Sequence, residues 1–462
     1  MARFSLRAQD STSSAASTSP ARPLTTSDVK ALYARPPSFT DFLPWVEYLP
    51  ESRCFLLEDG VSVGALFELT PAGTEARTQV FMNELRDAIQ TAVTEAIPEL
   101  DEAPWILQFY VQDEPSLSGL MGDVAAYLPD AATEHSYSRY YLSLLHEHCT
   151  RISRPGGLFE DSALTGTVWR GQQRRVRAAL YRRLNPRGQV PSAVEIEAEL
   201  NDVCTRWVAA LAAAGIRARR GSGEDLHRWL LPWFNPRAAF VGDDPDRLLT
   251  LAPYPGDENL PFGTDFAQTL TLSMPRSNEA SATWWFDELP HTVVTVQGLR
   301  RAPDIGHMTA ERPTGDHVFS LFDRLPEHTV MVLTMTVKPQ DLTRNHIGRV
   351  KRAAVGDSAE AALTREDAAA VEREMATGNK LYPFSMAFYV RGQDLVSLRA
   401  NINQLNALLL PNGLQPITRE ADLLALDSYL RNLPMAYDAQ LDRLSRRSRL
   451  VFSRHIANLL PL

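Results

Sequence analysis

Between Thr329 and Ile417 the spacing of apolar residues alternates between the two periods of regular secondary structure. Thr329–Val337 (TVMVLTMTV) is an almost unbroken apolar run ended by Pro339, the pattern of a strand covered on both faces. In Tyr382–Val390 the period is two. Phe384, Met386, Phe388 and Val390 share one face, and Gly392 closes the run. Between these strands Asp357 and Glu360 make a capping-box pattern, and the Ala/Glu/Arg-rich stretch after it predicts a helix that stops at Gly378. Beyond them Leu395, Leu398, Ile402, Leu405 and Leu409 recur at helical spacing until Pro411-Asn412-Gly413. This strand-helix-strand-helix order predicts a sheet covered by helices.

The same patterns organise the rest of the chain. CFLL and VSVGALFEL flank Glu58-Asp59-Gly60 and predict a hairpin with a tight turn. Phe81, Leu85, Ala88, Ile89, Ala92 and Val93 make one helical stripe stopped by Pro98, and Trp105–Val111 is the next strand. Helices are predicted at Tyr137–Ile152, Arg174–Leu184 and Ala193–Ala214, and strands return at Phe266–Leu272 and Thr292–Val296. The stretch from Ala421 to Leu462 reads as helical, interrupted at Pro434, and no internal repeat is visible. The expected class is α+β: small mixed sheets packed with helices, a helical middle, and the strand-helix block of 329–417. The expected division is a disordered tail over 1–35, an α+β unit over 36–115, a mainly helical region over 116–260, an α+β core over 261–420 and a helical stretch over 421–462.

Composition narrows the function classes. With 44% apolar and 22% charged residues the chain can build substantial cores, and a net charge of −9 argues against a dedicated nucleic-acid binder. Cys54, Cys149 and Cys204 lack CxxC spacing, so neither a disulfide framework nor a zinc knuckle is expected, and a reducing cytosol fits best. No apolar run is long enough to span a membrane.

Candidate chemistry is sparse. A P-loop needs Gly-Lys-Ser/Thr, and the lysines (Lys30, Lys338, Lys351, Lys380) follow valine or asparagine. Gly221-Ser222-Gly223 is followed by Glu224-Asp225, which would repel phosphate, so a helix start is expected there. His146-Glu147-His148-Cys149 offers metal-ligand types without HExxH spacing, and a partly exposed helix face accounts for it as well. Gly356-Asp357-Ser358 lacks the surroundings of a nucleophile elbow. Trp284-Trp285-Phe286 reads as core or interface, because neighbours on a strand face opposite ways. The basic run holding Arg170, Arg174, Arg175, Arg177, Arg182 and Arg183 is a candidate contact for anionic lipid, DNA or RNA, or else a solvated helix face.

With these residues in view, the chain from about Pro36 onward resembles the TraC-type ATPases of integrating conjugative elements, within the type IV secretion ATPase family. The resemblance rests on SFTDFLPWVEYLPESRCFLLEDGVSVGALFEL, LTGTVWRGQQRRVRAALYRR, KLYPFSMAFYVRG and the closing RLVFSRHIANLLPL. It implies that this stretch is the amino-terminal half, that a motor using ATP and magnesium follows it, and that 421–462 leads into that motor. It further implies a cytoplasmic protein peripheral to the inner membrane, with inner-membrane secretion components as partners, self-association, and weak non-specific contact with anionic lipid or DNA. The expected role is docking and scaffolding for an ATPase that powers pilus assembly and DNA transfer. A stand-alone adaptor and an enzyme with an unrecognised site are the alternatives. On this view Leu450, Val451, Ile456, Leu459 and Leu460 would pack partly against the motor.

The chain is expected to bind no ATP with magnesium, since no lysine stands in P-loop context to offset the triphosphate charge. Titration calorimetry checks this. Saturable micromolar binding that one point mutation abolishes would overturn it.

Overall fold

The computed structural model describes residues 37–154, 156–162, 168–185, 191–257, 260, 263–314, 317–356 and 358–461. The tail expected over 1–35 and Asp357 lie outside the described residues.

The chain builds its main sheet in two passes. The first comprises β1 (Trp45–Leu49), β2 (Cys54–Leu57), β3 (Val63–Thr70), α1 (Gln79–Thr94) and β4 (Trp105–Glu114). An insertion carrying α2 (Ser118–Tyr127) and α3 (Ser136–Ser153) follows, then β5 (Gln173–Arg182), α4 (Ala193–Ala213), β6 (Arg217–Arg220) and α5 (Gly223–Phe234). The second pass comprises β7 (Arg276–Asn278), β8 (Thr283–Phe286), β9 (Leu289–Leu299) and β10 (Val330–Val337). Its insertion carries α6 (Gln340–Ala353) and α7 (Ala359–Ala376), before β11 (Leu381–Arg391), α8 (Leu395–Leu409), β12 (Leu414–Pro416) and α9 (Ala425–Arg431). The chain then adds β13 (Arg449–Phe452) and α10 (Ser453–Leu459).

These strands form one 13-stranded sheet in the order β1-β2-β3-β5-β4-β10-β11-β9-β8-β7, with β6 on β3, β12 on β9 and β13 on β11. Every pairing in it is antiparallel. The lateral order β6-β3-β5-β4 of the first pass is repeated as β12-β9-β11-β10 in the second, each flanked by a hairpin, β1-β2 or β7-β8. Both are the fourth-first-third-second order of a split βαβ unit. The internal repeat hidden from the residue pattern is therefore present in the topology, although the second pass lacks a counterpart of α1. Further equivalences follow. Asn235 after α5 and Asn432 after α9 each donate Nδ2 to the carbonyl four residues back, at 2.8 Å.

The two passes meet edge to edge. β4 pairs with β10 from Trp105 opposite Val337 to Gln112 opposite Val330. One face of the sheet carries Leu107, Phe109, Leu333, Met335, Phe384 and Phe388 under α1, α4, α8 and α10. The other carries Tyr110, Tyr181, Val332 and Tyr389 under α5 and α9. Two covered faces account for the wholly buried β10, as its apolar run predicts.

The α+β class holds, with several corrections of detail. One large antiparallel sheet stands where small mixed sheets were expected. The segment expected as a helix over Arg174–Leu184 is strand β5: Ala, Leu and Arg favour helices, but burial between β3 and β4 overrides that weak preference. Strand β5, together with β6, also places two strands of the main sheet inside the stretch expected to be mainly helical. Phe266–Leu270 is a 3-10 turn instead of a strand, with Phe266 and Leu270 inserted under the sheet. Two helices, α6 and α7, connect β10 to β11 where one was expected, and Ser358 caps the second by accepting from the Ala361 amide. The closing stretch is not all helical. Its strand β13 pairs with Leu381–Phe384 of β11, and of the five residues expected to pack partly against a motor, Val451, Ile456, Leu459 and Leu460 are buried in this chain's own core while Leu450 is exposed.

Gln108 ties the junction together. Fully buried on β4, it faces Thr334 of β10 at 3.4 Å and accepts the Met435 amide at 2.8 Å. Gln108→Leu leaves that amide without an acceptor and should lower the unfolding free energy by about 2 kcal/mol. Urea denaturation checks it, with the midpoint falling and the slope unchanged.

Candidate functional site

The arginines of the basic run do not share a surface. On β5 alternate residues face opposite sides, so Arg174 and Arg182 lie on the α4 side while Arg175, Arg177 and Arg183 lie on the α5 side. Each has a carboxylate. Arg174 grips Asp113 through two bonds of 2.8 and 2.9 Å and also reaches Asp323 at 2.7 Å. Arg175 meets Glu68 at 2.8 Å, and Arg177 meets Glu114 at 2.6 Å while lying 4.9 Å over the Trp229 ring. Arg182 pairs with Glu199, and Arg183 with Glu58, each at 2.6 Å. Arg170 is buried 3.6 Å from Glu327. Burial lowers the Arg170 pKa against the pull of Glu327, whereas at Arg174 burial is outweighed by Asp113 and Asp323, which raise it. The solvated helix face expected here is thus replaced by an ion-paired strand. The signal available in the sequence was the alternation of Val176, Ala178 and Leu180 with Arg175 and Arg177.

The insertion between β4 and β5 presents the opposite chemistry. Helix α3 is 18 residues long and fully buries only Cys149. Leu142, Leu145 and Ile152 are half-buried, while Tyr137, Tyr140, Tyr141 and Leu144 form a second stripe that is exposed. Tyr127 on α2 is 89% exposed, and Phe159 and Trp169 stack with ring centroids 5.6 Å apart, both exposed. His146, Glu147 and His148 face solvent while Cys149 points inward, so these candidate metal ligands do not converge. Among the described residues no cluster of three or more His, Cys, Asp or Glu could hold a metal. Among them, too, no helix is long and apolar enough to cross a membrane.

A cavity of about 560 Å³ lies between α5 and the sheet. Its floor is a row of register-matched positions on the α5 face: Glu68 opposite Arg177, Arg175 opposite Gln112, Gln112 opposite Val330, Val330 opposite Tyr389, and Arg391 opposite His291. Gly221 and Ser222 lie on its wall, and Gly221-Ser222-Gly223 begins α5 as expected, with Ser222 accepting from the Asp225 amide. Eight carboxylates against five guanidiniums line the cavity. That balance does not fit a nucleoside triphosphate. Sequence patterns could not find this site, because its floor is drawn from strands of both passes.

His227, on the buried side of α5, has its pKa pushed down to about 4 by burial. Its unfolded form takes up a proton near pH 6.5, so the stability it contributes is full above that pH and is lost as pH falls toward 4. His227→Phe should flatten the acid limb of the stability curve by about 1.4 kcal/mol per pH unit between pH 6 and 4. Urea titrations at a series of pH values measure this.

No curated protein matches the chain. The family model described as TraC protein matches residues 39–437, which take in every strand of the main sheet except β13, the insertion helices and the cavity. The chain belongs to the TraC protein family of conjugative transfer.

Proposed function

We propose that this chain is the docking and scaffold region of a TraC-type transfer ATPase, seated peripherally on the cytoplasmic face of the inner membrane and holding inner-membrane components of the secretion apparatus. The exposed aromatic stripe of α3 carries this reading. A helix that buries so little against its own protein gains little toward the entropy of ordering, so a partner surface is the natural cover for it. Tyrosine suits such a surface, since it buries a large ring at small conformational cost. The motor that would use ATP and magnesium is assigned no residue of this chain. A nucleic-acid adaptor built on Arg170–Arg183 finds less support, because Arg174, Arg175, Arg177, Arg182 and Arg183 would have to leave carboxylates held at 2.6 to 2.8 Å.

Replacing Tyr140 and Tyr141 by glutamate in the complete transfer protein should weaken its retention on membranes about thirtyfold and reduce DNA transfer, with thermal stability unchanged. Membrane sedimentation and mating assays read the two effects. Wild-type transfer and retention in the double variant would overturn the proposal.

A further inference from the structure

At the far end of the cavity Arg391 is a half-buried guanidinium with no hydrogen bond and no carboxylate within ion-pair distance among the described residues. The carboxylates that attract it have other cationic neighbours. Asp243 is bonded to Arg237 at 2.8 Å, and Glu327 faces Arg170. Burial lowers Arg391 to about 10, against the attraction of Asp243, so it still carries its charge at neutral pH.

His291, directly opposite Arg391 on β9, cannot supply an acceptor. Trp233 Nε1 donates to the Tyr429 hydroxyl at 3.0 Å, which leaves the hydroxyl hydrogen for His291 Nδ1 at 3.2 Å. With the hydroxyl donating to Nδ1, the ring hydrogen is assigned to Nε2, which is buried and has no hydrogen-bond partner. Burial and then Arg391 keep this imidazole neutral. A cation and a neutral N–H donor, side by side and both lacking an acceptor, suit the binding of an anionic group.

The remainder of the cavity limits what that anion can belong to. From Glu68 to His291 the floor crosses five inter-strand steps, about 24 Å, which an extended peptide of about seven residues would cover. Carboxylates outnumber guanidiniums along it, so a polyphosphate or nucleic acid is repelled. Trp229, Trp233 and Tyr389 provide apolar wall. We propose that this cavity binds an extended peptide segment of a partner protein, with one carboxylate held by Arg391 and basic or neutral residues along the rest of the cavity, where carboxylates outnumber guanidiniums. The inference stands apart from the docking reading of α3, since it concerns a different surface and is tested by binding alone.

The test uses the whole chain and an acetylated seven-residue Lys/Ala peptide with a free carboxyl terminus, its amidated form, and a single-stranded oligonucleotide. Calorimetry should show the free acid binding about tenfold or more tighter than the amide. Arg391→Gln should erase that difference while leaving the melting temperature and the weak binding of the amide unchanged. Equal binding of acid and amide, binding of neither, a wild-type preference in Arg391→Gln, or Arg391-dependent binding of the oligonucleotide would each overturn the assignment.

Discussion

Eight consecutive residue pairs join β4 to β10, and the rest of the molecule is arranged around that seam. Each pass alone would end in a long apolar strand with a free row of backbone donors and acceptors, a state that invites aggregation. Joined, the two edges become the centre of one sheet, and helices from both passes can cover both faces. The antiparallel register also sets a two-fold relation between the passes. The cost is a closure over more than two hundred residues, which grows only logarithmically with loop length and is offset by the apolar surface buried along the seam.

This relation decides where the insertions emerge. Both replace the short link between the second and third strands of a split βαβ unit. Because β4 and β10 run in opposite directions, α2 and α3 leave at the Glu114 end of the seam and α6 and α7 at the Val337 end. Excursions from a rigid sheet are where recognition is commonly placed. The first insertion is aromatic and exposed, and Ser116 and Ser118 at its base also line the cavity.

The electrostatic character of the chain follows from the same geometry. Several half-buried arginines bridge strand β5 to carboxylates that only the tertiary structure brings near, as Arg177 with Glu114 of β4 and Arg182 with Glu199 of α4. Such half-buried pairs fix register more than they add stability. Their neutralisation leaves a surface excess of carboxylates, in keeping with the net charge of −9. Arg391 stands out against that background because its neighbours are committed elsewhere.

Much of the architecture is written in local pattern. The apolar run of β10, the two-residue period of β11, the leucine stripe of α8, the Asp59-Gly60 turn and the Ser222 helix start are each settled by residues within one or two turns of one another, so they can be read directly. The tertiary structure alone decided the rest, because it depends on partners far away in the chain. Arg174–Leu184 became a strand when β3 and β4 closed on either side of it, and Arg449–Phe452 became one because β9 leaves half of β11 uncovered. The repeated strand order is invisible in sequence since different side chains fill equivalent places. Arg391, which no motif marks, became a candidate site only when pairing set it beside His291.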